Sequence, residues 1–113
     1  MVLIIGSQAS GKREYAMSLG YAECDMADAV LDERPVLYNL QDMVARAPEC
    51  APALLEALLE KQAVICNEVG SGIIPVNARD RSSREQTGRL CVLLAQRAER
   101  VVRLVCGIPM VIK

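Results

Sequence analysis

The chain has 113 residues, 52% of them hydrophobic and 24% charged, a composition that suits one compact core and is globular, not disordered. It holds no histidine, tryptophan or phenylalanine, which excludes Ser–His and Cys–His nucleophiles, imidazole metal sites and any nucleotidyl-histidine within it. A net charge of −1 and a pI near 5.4 argue against a general nucleic-acid binder. A local basic face stays open at Arg79, Arg81, Arg84, Arg89, Arg97, Arg100 and Arg103. The five cysteines form no C-x-x-C pair, so neither a disulfide framework nor a zinc ribbon is expected. Cys66 and Cys106 lie in apolar runs and read as small buried thiols of a reducing compartment. Val2 to Ile5 is too short for the apolar region of a signal peptide, and no run approaches the ~20 apolar residues of a membrane span. A soluble, cytoplasmic protein without a membrane partner is expected.

Val2 to Ile5 is a short aliphatic run that stops at Gly6, which predicts a buried strand. Gly11 to Leu19 predicts a helix, with Gly20 as its C-terminal stop. Tyr21 to Arg34 is acidic and lacks a clean period, so it reads as a loop with at most one helical turn. Val36 to Tyr38 reads as a second strand, and Pro52 to Lys61 as a helix with a Leu54, Leu55, Leu58, Leu59 stripe for core or subunit contact. Ala63 to Cys66 is a third buried strand ending at Asn67 and Glu68, and Gly70, Gly72 and Pro75 mark a loop. Ser83 and Gln86 match a capping box at the start of a long helix carrying Leu90, Leu93, Leu94 and Ala98. Val101 to Cys106 is a strand, Gly107 to Pro109 a turn, and Met110 to Ile112 a last strand. The alternation predicts an α/β fold with a mainly parallel sheet flanked by helices, as one domain over residues 1–113.

Gly6-Ser7-Gln8-Ala9-Ser10-Gly11-Lys12 has the spacing G-x-x-x-x-G-K between the first strand and the first helix. That is the setting of a P-loop, in which turned backbone N–H groups and a helix N-terminus cradle phosphates. Lys12 would then reach the β- and γ-phosphates of ATP or GTP. The next residue departs from the pattern, because Arg13 replaces the Ser or Thr whose hydroxyl ligates Mg²⁺. Three readings stay open: Mg²⁺ is held by other oxygens, Arg13 replaces part of its charge, or nucleotide no longer turns over.

Asn67-Glu68-Val69-Gly70-Ser71-Gly72-Ile73-Ile74-Pro75 resembles the N-E-V-G-x-G-[IV]-[IV]-P segment of the adenosylcobinamide kinase/adenosylcobinamide-phosphate guanylyltransferase family. Arg84, Gly88-Arg89-Leu90 and Ala98 fall where that family carries an R-x-x-x-G-R helix, and Gly107-Ile108-Pro109 with Val111-Ile112-Lys113 resembles its closing strands. The resemblance implies a RecA-like P-loop NTPase fold and a ring-shaped trimer. It also implies phosphorylation of a cobinamide hydroxyl by ATP or GTP, followed by GMP transfer through a histidine. This chain is shorter than such proteins between Gly20 and Pro35, and it has no histidine for the second step. Where the family tends to carry an acid after the second strand, this chain has Asn39, with Asp42 the nearest carboxylate.

Glu68 directly follows a strand, at the end where open α/β sheets place ligands. It would orient a water, a hydroxyl or a metal, or else cap the following loop; Asn67 is a weaker case of the same kind. Arg79, Arg81 and Arg84 face phosphates across a subunit boundary or form a solvated helix face. Two functions follow. One is a reduced kinase acting on an alcohol, with Lys12 and Glu68 as its working residues. The other is a noncatalytic nucleotide-binding or assembly protein that kept the fold.

Overall fold

The computed structural model describes residues 1–68 and 77–113. The loop expected at Gly70, Gly72 and Pro75, and most of the N-E-V-G segment, lie outside the described residues. Strand β1 (Val2–Gly6) runs into a loop and helix α1 (Lys12–Ser18). Two short strands, β2 (Met26–Asp28) and β3 (Val36–Tyr38), precede helix α2 (Leu40–Arg46). A 3-10 stretch, Pro48–Leu54, leads into helix α3 (Leu55–Leu59) and strand β4 (Ala63–Asn67). Helix α4 (Ala78–Arg97) is followed by β5 (Arg100–Val105) and β6 (Ile108–Val111).

The described strands form one sheet in the order β2-β3-β4-β1-β5-β6, parallel except for the β5–β6 hairpin. Alternation along the strands separates two cores. Leu3, Leu37, Val64, Cys66 and Val101 pack against Leu40, Val44, Leu58, Leu90 and Leu94 of α2, α3 and α4. Ile4, Val36, Ile65, Val102 and Leu104 pack on the other face, where α1 contributes Ala16 and Tyr15. The helix after β1 therefore covers one face and the helix after β4 the other. Because β1 and β4 are neighbours, their carboxyl ends are the point where the following helices part to opposite faces, which is where open α/β sheets hold ligands.

Several elements differ from the expectations. Residues 21–34 are not all loop: β2 pairs in parallel with β3, and a preceding 3-10 turn is closed where Asp25 Oδ2 accepts from the Ala22 N–H at 2.8 Å. Helix α2 is not expected from the sequence, although Leu40, Met43 and Val44 show helical spacing, because its 7 residues are too few for a period to stand out. Pro52 sits inside the 3-10 stretch rather than opening the α-helix. Helix α4 starts earlier than Ser83, since Asn77 Oδ1 accepts from the Asp80 N–H at 2.8 Å and caps it there. The last turn is Cys106-Gly107, not Gly107 to Pro109. Both residues have positive φ, 50° and 77°, the form that suits a two-residue hairpin. Cys106 is therefore exposed, whereas Cys66 is buried as expected.

Gly20 does stop α1. Its N–H donates to Met17 O at 3.0 Å and the Tyr21 N–H to Ala16 O at 3.4 Å, a Schellman closure with Gly20 at φ 105°. Lys61 then ties the 29–35 connection to the end of α3 by donating to Asp32 O and Arg34 O. Arg34 in turn holds both Asp32 carboxylate oxygens, which keeps that carboxyl below the usual range.

Candidate functional site

Gly6-to-Lys12 occupies the turn between β1 and α1, at the centre of the sheet. Ala9 and Gly11 take left-handed conformations, φ 58° and 95°, and turn the chain into the helix. A Cβ on Gly6 would meet Ser10 Oγ and stand 2.9 Å from Leu104 O; one on Gly11 would stand 3.2 Å from Gly107 Cα. Both glycines are thus required by close backbone approach. The Gly107 N–H donates to Ser10 O at 2.9 Å, fastening the β5–β6 turn to the loop. Ser7, Gln8 and Ala9 are exposed, and a cleft of about 300 Å³ is lined by Ala9, Ser10, Gly11, Glu14 and Gly107.

Lys12 is 5% exposed and folds back over the loop, its ammonium donating to Ser7 O at 2.5 Å and lying 3.5 Å from Ser10 Oγ. Burial lowers its pKa from the ordinary lysine value, with Cys66, Glu68 and Glu14 acting in the opposite sense. Glu68 is at the same edge: its N–H donates to Gly6 O at 2.8 Å. Its carboxylate is gripped by Arg103 of β5, which donates from both Nε and Nη2. Arg103 of β5 and Glu68 after β4 thus join across the end of the intervening strand β1, with Lys12 at the same end of the sheet.

A second polar chain runs along the neighbouring strand ends. Asn39 Nδ2 donates to Asp28 Oδ1 at 2.8 Å, Gln41 Nε2 to Asn39 Oδ1 at 3.2 Å, and the Asn67 N–H to Gln41 Oε1 at 2.9 Å. Asn39 itself is left-handed, φ 59°, at the start of α2. Arg103, Asp28 and Gln41 escaped the sequence reading as site residues. A charge inside the run Val101-Val102-Arg103-Leu104-Val105 was the one visible signal. Of the other arginines, Arg79 donates to Arg46 O, while Arg89 and Arg97 pair with Glu85 and Glu56, away from the loop.

Among the described residues, the donor set does not suit a protein-bound Mg²⁺. Arg13 turns to Glu23 at 2.8 Å, the Asn39 amide is engaged by Asp28 and Gln41, and the Glu68 carboxylate is held by Arg103. Among the described residues, no group of three or more His, Cys, Asp or Glu is arranged to hold a metal ion.

These features define the class: a mostly parallel α/β protein with a glycine loop between its central strand and first helix. More particularly, the chain belongs to the cobinamide kinase / cobinamide phosphate guanyltransferase family, whose model matches residues 31–112. It is also similar to the bifunctional adenosylcobalamin biosynthesis protein CobP of Pseudomonas aeruginosa, at 38% identity over 64 residues. That stretch covers 54% of this chain and 37% of the relative, so the match spans well under two thirds of its length. The family match begins after Lys12, and the loop is distinguished by its own spacing and geometry.

Proposed function

We propose that this chain is a P-loop NTPase of RecA-like type that binds ATP or GTP at Gly6 to Lys12. It uses the γ-phosphate to phosphorylate the hydroxyl of a cobinamide. The carrying observation is the inward-turned Lys12 ammonium in a left-handed glycine loop, at the same sheet edge as Glu68. In this reading the loop N–H groups and Lys12 hold the phosphate chain, Arg13 flanks it at the helix start, and Glu68 orients the acceptor hydroxyl. Phosphoryl transfer asks mainly for positioning and charge, which a small sheet edge supplies. Guanylyl transfer through histidine is not expected of this chain, which carries none.

The test is incubation with adenosylcobinamide and γ-labelled ATP or GTP. Labelled cobinamide phosphate is expected; its absence despite bound nucleotide would favour the second reading, a noncatalytic nucleotide-binding protein. The Arg13–Glu23 pair and the amide at Asn39 are the observations on that side. Incubation with α-labelled GTP should leave no acid-labile GMP on the protein. A covalent adduct would show a nucleophile other than imidazole and overturn this part of the reading.

A further inference from the structure

We infer that Arg103 supplies at the phosphate loop the second positive charge that a protein-bound divalent cation would bring, so that a polyphosphate anion binds there without magnesium. The inference rests on reading Gly6 to Lys12 as the phosphate site and goes beyond it in naming how the charge is met.

Three observations carry it. The first is the mismatch at the expected metal positions. Arginine 13 has no acceptor atom and is drawn away to Glu23, and the Asn39 side chain spends its donor on Asp28 and its oxygen on Gln41. The second is the placement of Arg103. It stands opposite Ile5 in the β1–β5 ladder, one residue before Gly6, and it is the one charged residue within an otherwise aliphatic stretch, Val101 to Val105. Its strand neighbours Val102 and Leu104 point to the α1 face, so Arg103 rises on the α4 face, the one that also holds Cys66. The third is its present partner. Glu68 takes both donors of the guanidinium fork while its own N–H is fixed to Gly6 O. The Glu68 charge also acts on the Lys12 ammonium, so both cations lie within reach of one carboxylate.

A guanidinium fork fits two phosphate oxygens as well as it fits two carboxylate oxygens. A triphosphate carries several negative charges against one on Glu68. The Arg103 side chain is 46% exposed, which leaves it room to swing. Phosphate entering the loop draws Arg103 off Glu68, and the released carboxylate faces the acceptor side. Glu68 is thus the resting partner that keeps Arg103 poised while the loop is empty.

The experiment is calorimetric titration of the full chain with inorganic tripolyphosphate and with ATP, in EDTA and again in magnesium chloride. Wild-type affinity for each is expected to agree within about threefold between the two buffers, and Arg103→Met to lose about tenfold or more in EDTA. Arg103→Lys should recover part of that loss as a point charge, and Glu68→Gln should bind tripolyphosphate more tightly than wild type. Thermal melting of each variant reports folding separately. Loss of wild-type binding in EDTA, or an Arg103→Met variant that binds as wild type, would overturn the inference. Lys12→Ala separates the two levels. If it loses binding while Arg103→Met does not, only the role of Arg103 falls; if neither loses binding, the phosphate-loop reading falls as well.

Discussion

Lys12 is the residue on which sequence and geometry agree most directly, because both the spacing and the contact are local. Its ammonium bonds within the loop at Ser7 O, and burial disfavours its charge, so the fold gains little from it. Lys12→Ala should therefore weaken triphosphate binding by about tenfold or more while leaving the melting temperature of the free protein nearly unchanged. Equal affinity in the variant would reduce the loop to a turn. The pKa direction adds a pH dependence. In the free protein Lys12 sits below the ordinary 10.5, and a bound phosphate raises it again. Binding then takes up a proton in the alkaline range below pH 10.5, so affinity falls there as pH rises. Lys12→Arg, which stays charged, should flatten that profile; an unchanged slope would assign the proton to another group. Arg103 was not legible as a site residue because its partner Glu68 lies 35 residues away. Only the ladder that sets β5 beside β1, and β1 beside β4, brings the two together.

At the scale of elements, the strands with continuous aliphatic runs were readable, since a strand covered on both faces needs no alternation. β2 was not. With 3 residues it has no period of its own, and it exists because β3 offers it an edge. The start of α4 was misplaced for a related reason. Ser83-to-Gln86 has the form of a capping box, yet a free Asn77 side chain upstream captures the Asp80 N–H first. The β5–β6 turn gives a contrast in substitutions. Cys106 is a side-chain-bearing residue at φ 50° in a two-residue turn, exposed to solvent. Cys106→Asn should stabilise the protein by about 0.5–1 kcal/mol, because Asn tolerates that conformation better and Asn-Gly is a favoured hairpin pair. Gly6→Ala should do the opposite, by about 1–3 kcal/mol, since its methyl would press on Leu104 O at 2.9 Å and on Ser10. Urea denaturation of both variants decides the matter. A neutral Gly6→Ala would show that the loop can relax away from β5, against the close packing described above.

The whole molecule is unevenly clad. Helices α2, α3 and α4 cover one face, whereas among the described residues α1, of 7 residues, is the one helix on the other. The shortened stretch before Pro35 would uncover a sheet edge or face unless residues 21–34 fold back and seal the gap, in which case a monomer is the alternative. Residues 26–28 do fold back and pair with β3, which leaves β2 and β6 as the two edge strands of the described sheet. At β6 and the residue after it, Ile108, Met110 and Ile112 are exposed by 65%, 50% and 59% on one face of the strand and Val111 by 61% on the other, apolar area of the kind that marks an interface. Edge-to-edge strand pairing is disfavoured because Pro109 has no N–H to offer. This apolar area is suited instead to packing its side chains against another surface, and a second copy of the chain offers one in every solution of the protein. A homo-oligomer is therefore expected, with the ring-shaped trimer that the family resemblance implies as its form. Light scattering coupled to size exclusion at micromolar concentration should then give about three times 12.3 kDa. Ile108→Lys, placed on the exposed edge where a monomer tolerates charge, should shift the mass toward a single chain without lowering the melting temperature of the dissociated form. A wild-type mass near 12.3 kDa would refute the oligomer, and one near twice that would refute the ring. Either result would also remove any contribution to the phosphate loop, across a ring boundary, from Arg79, Arg81 or Arg84 of a neighbouring copy.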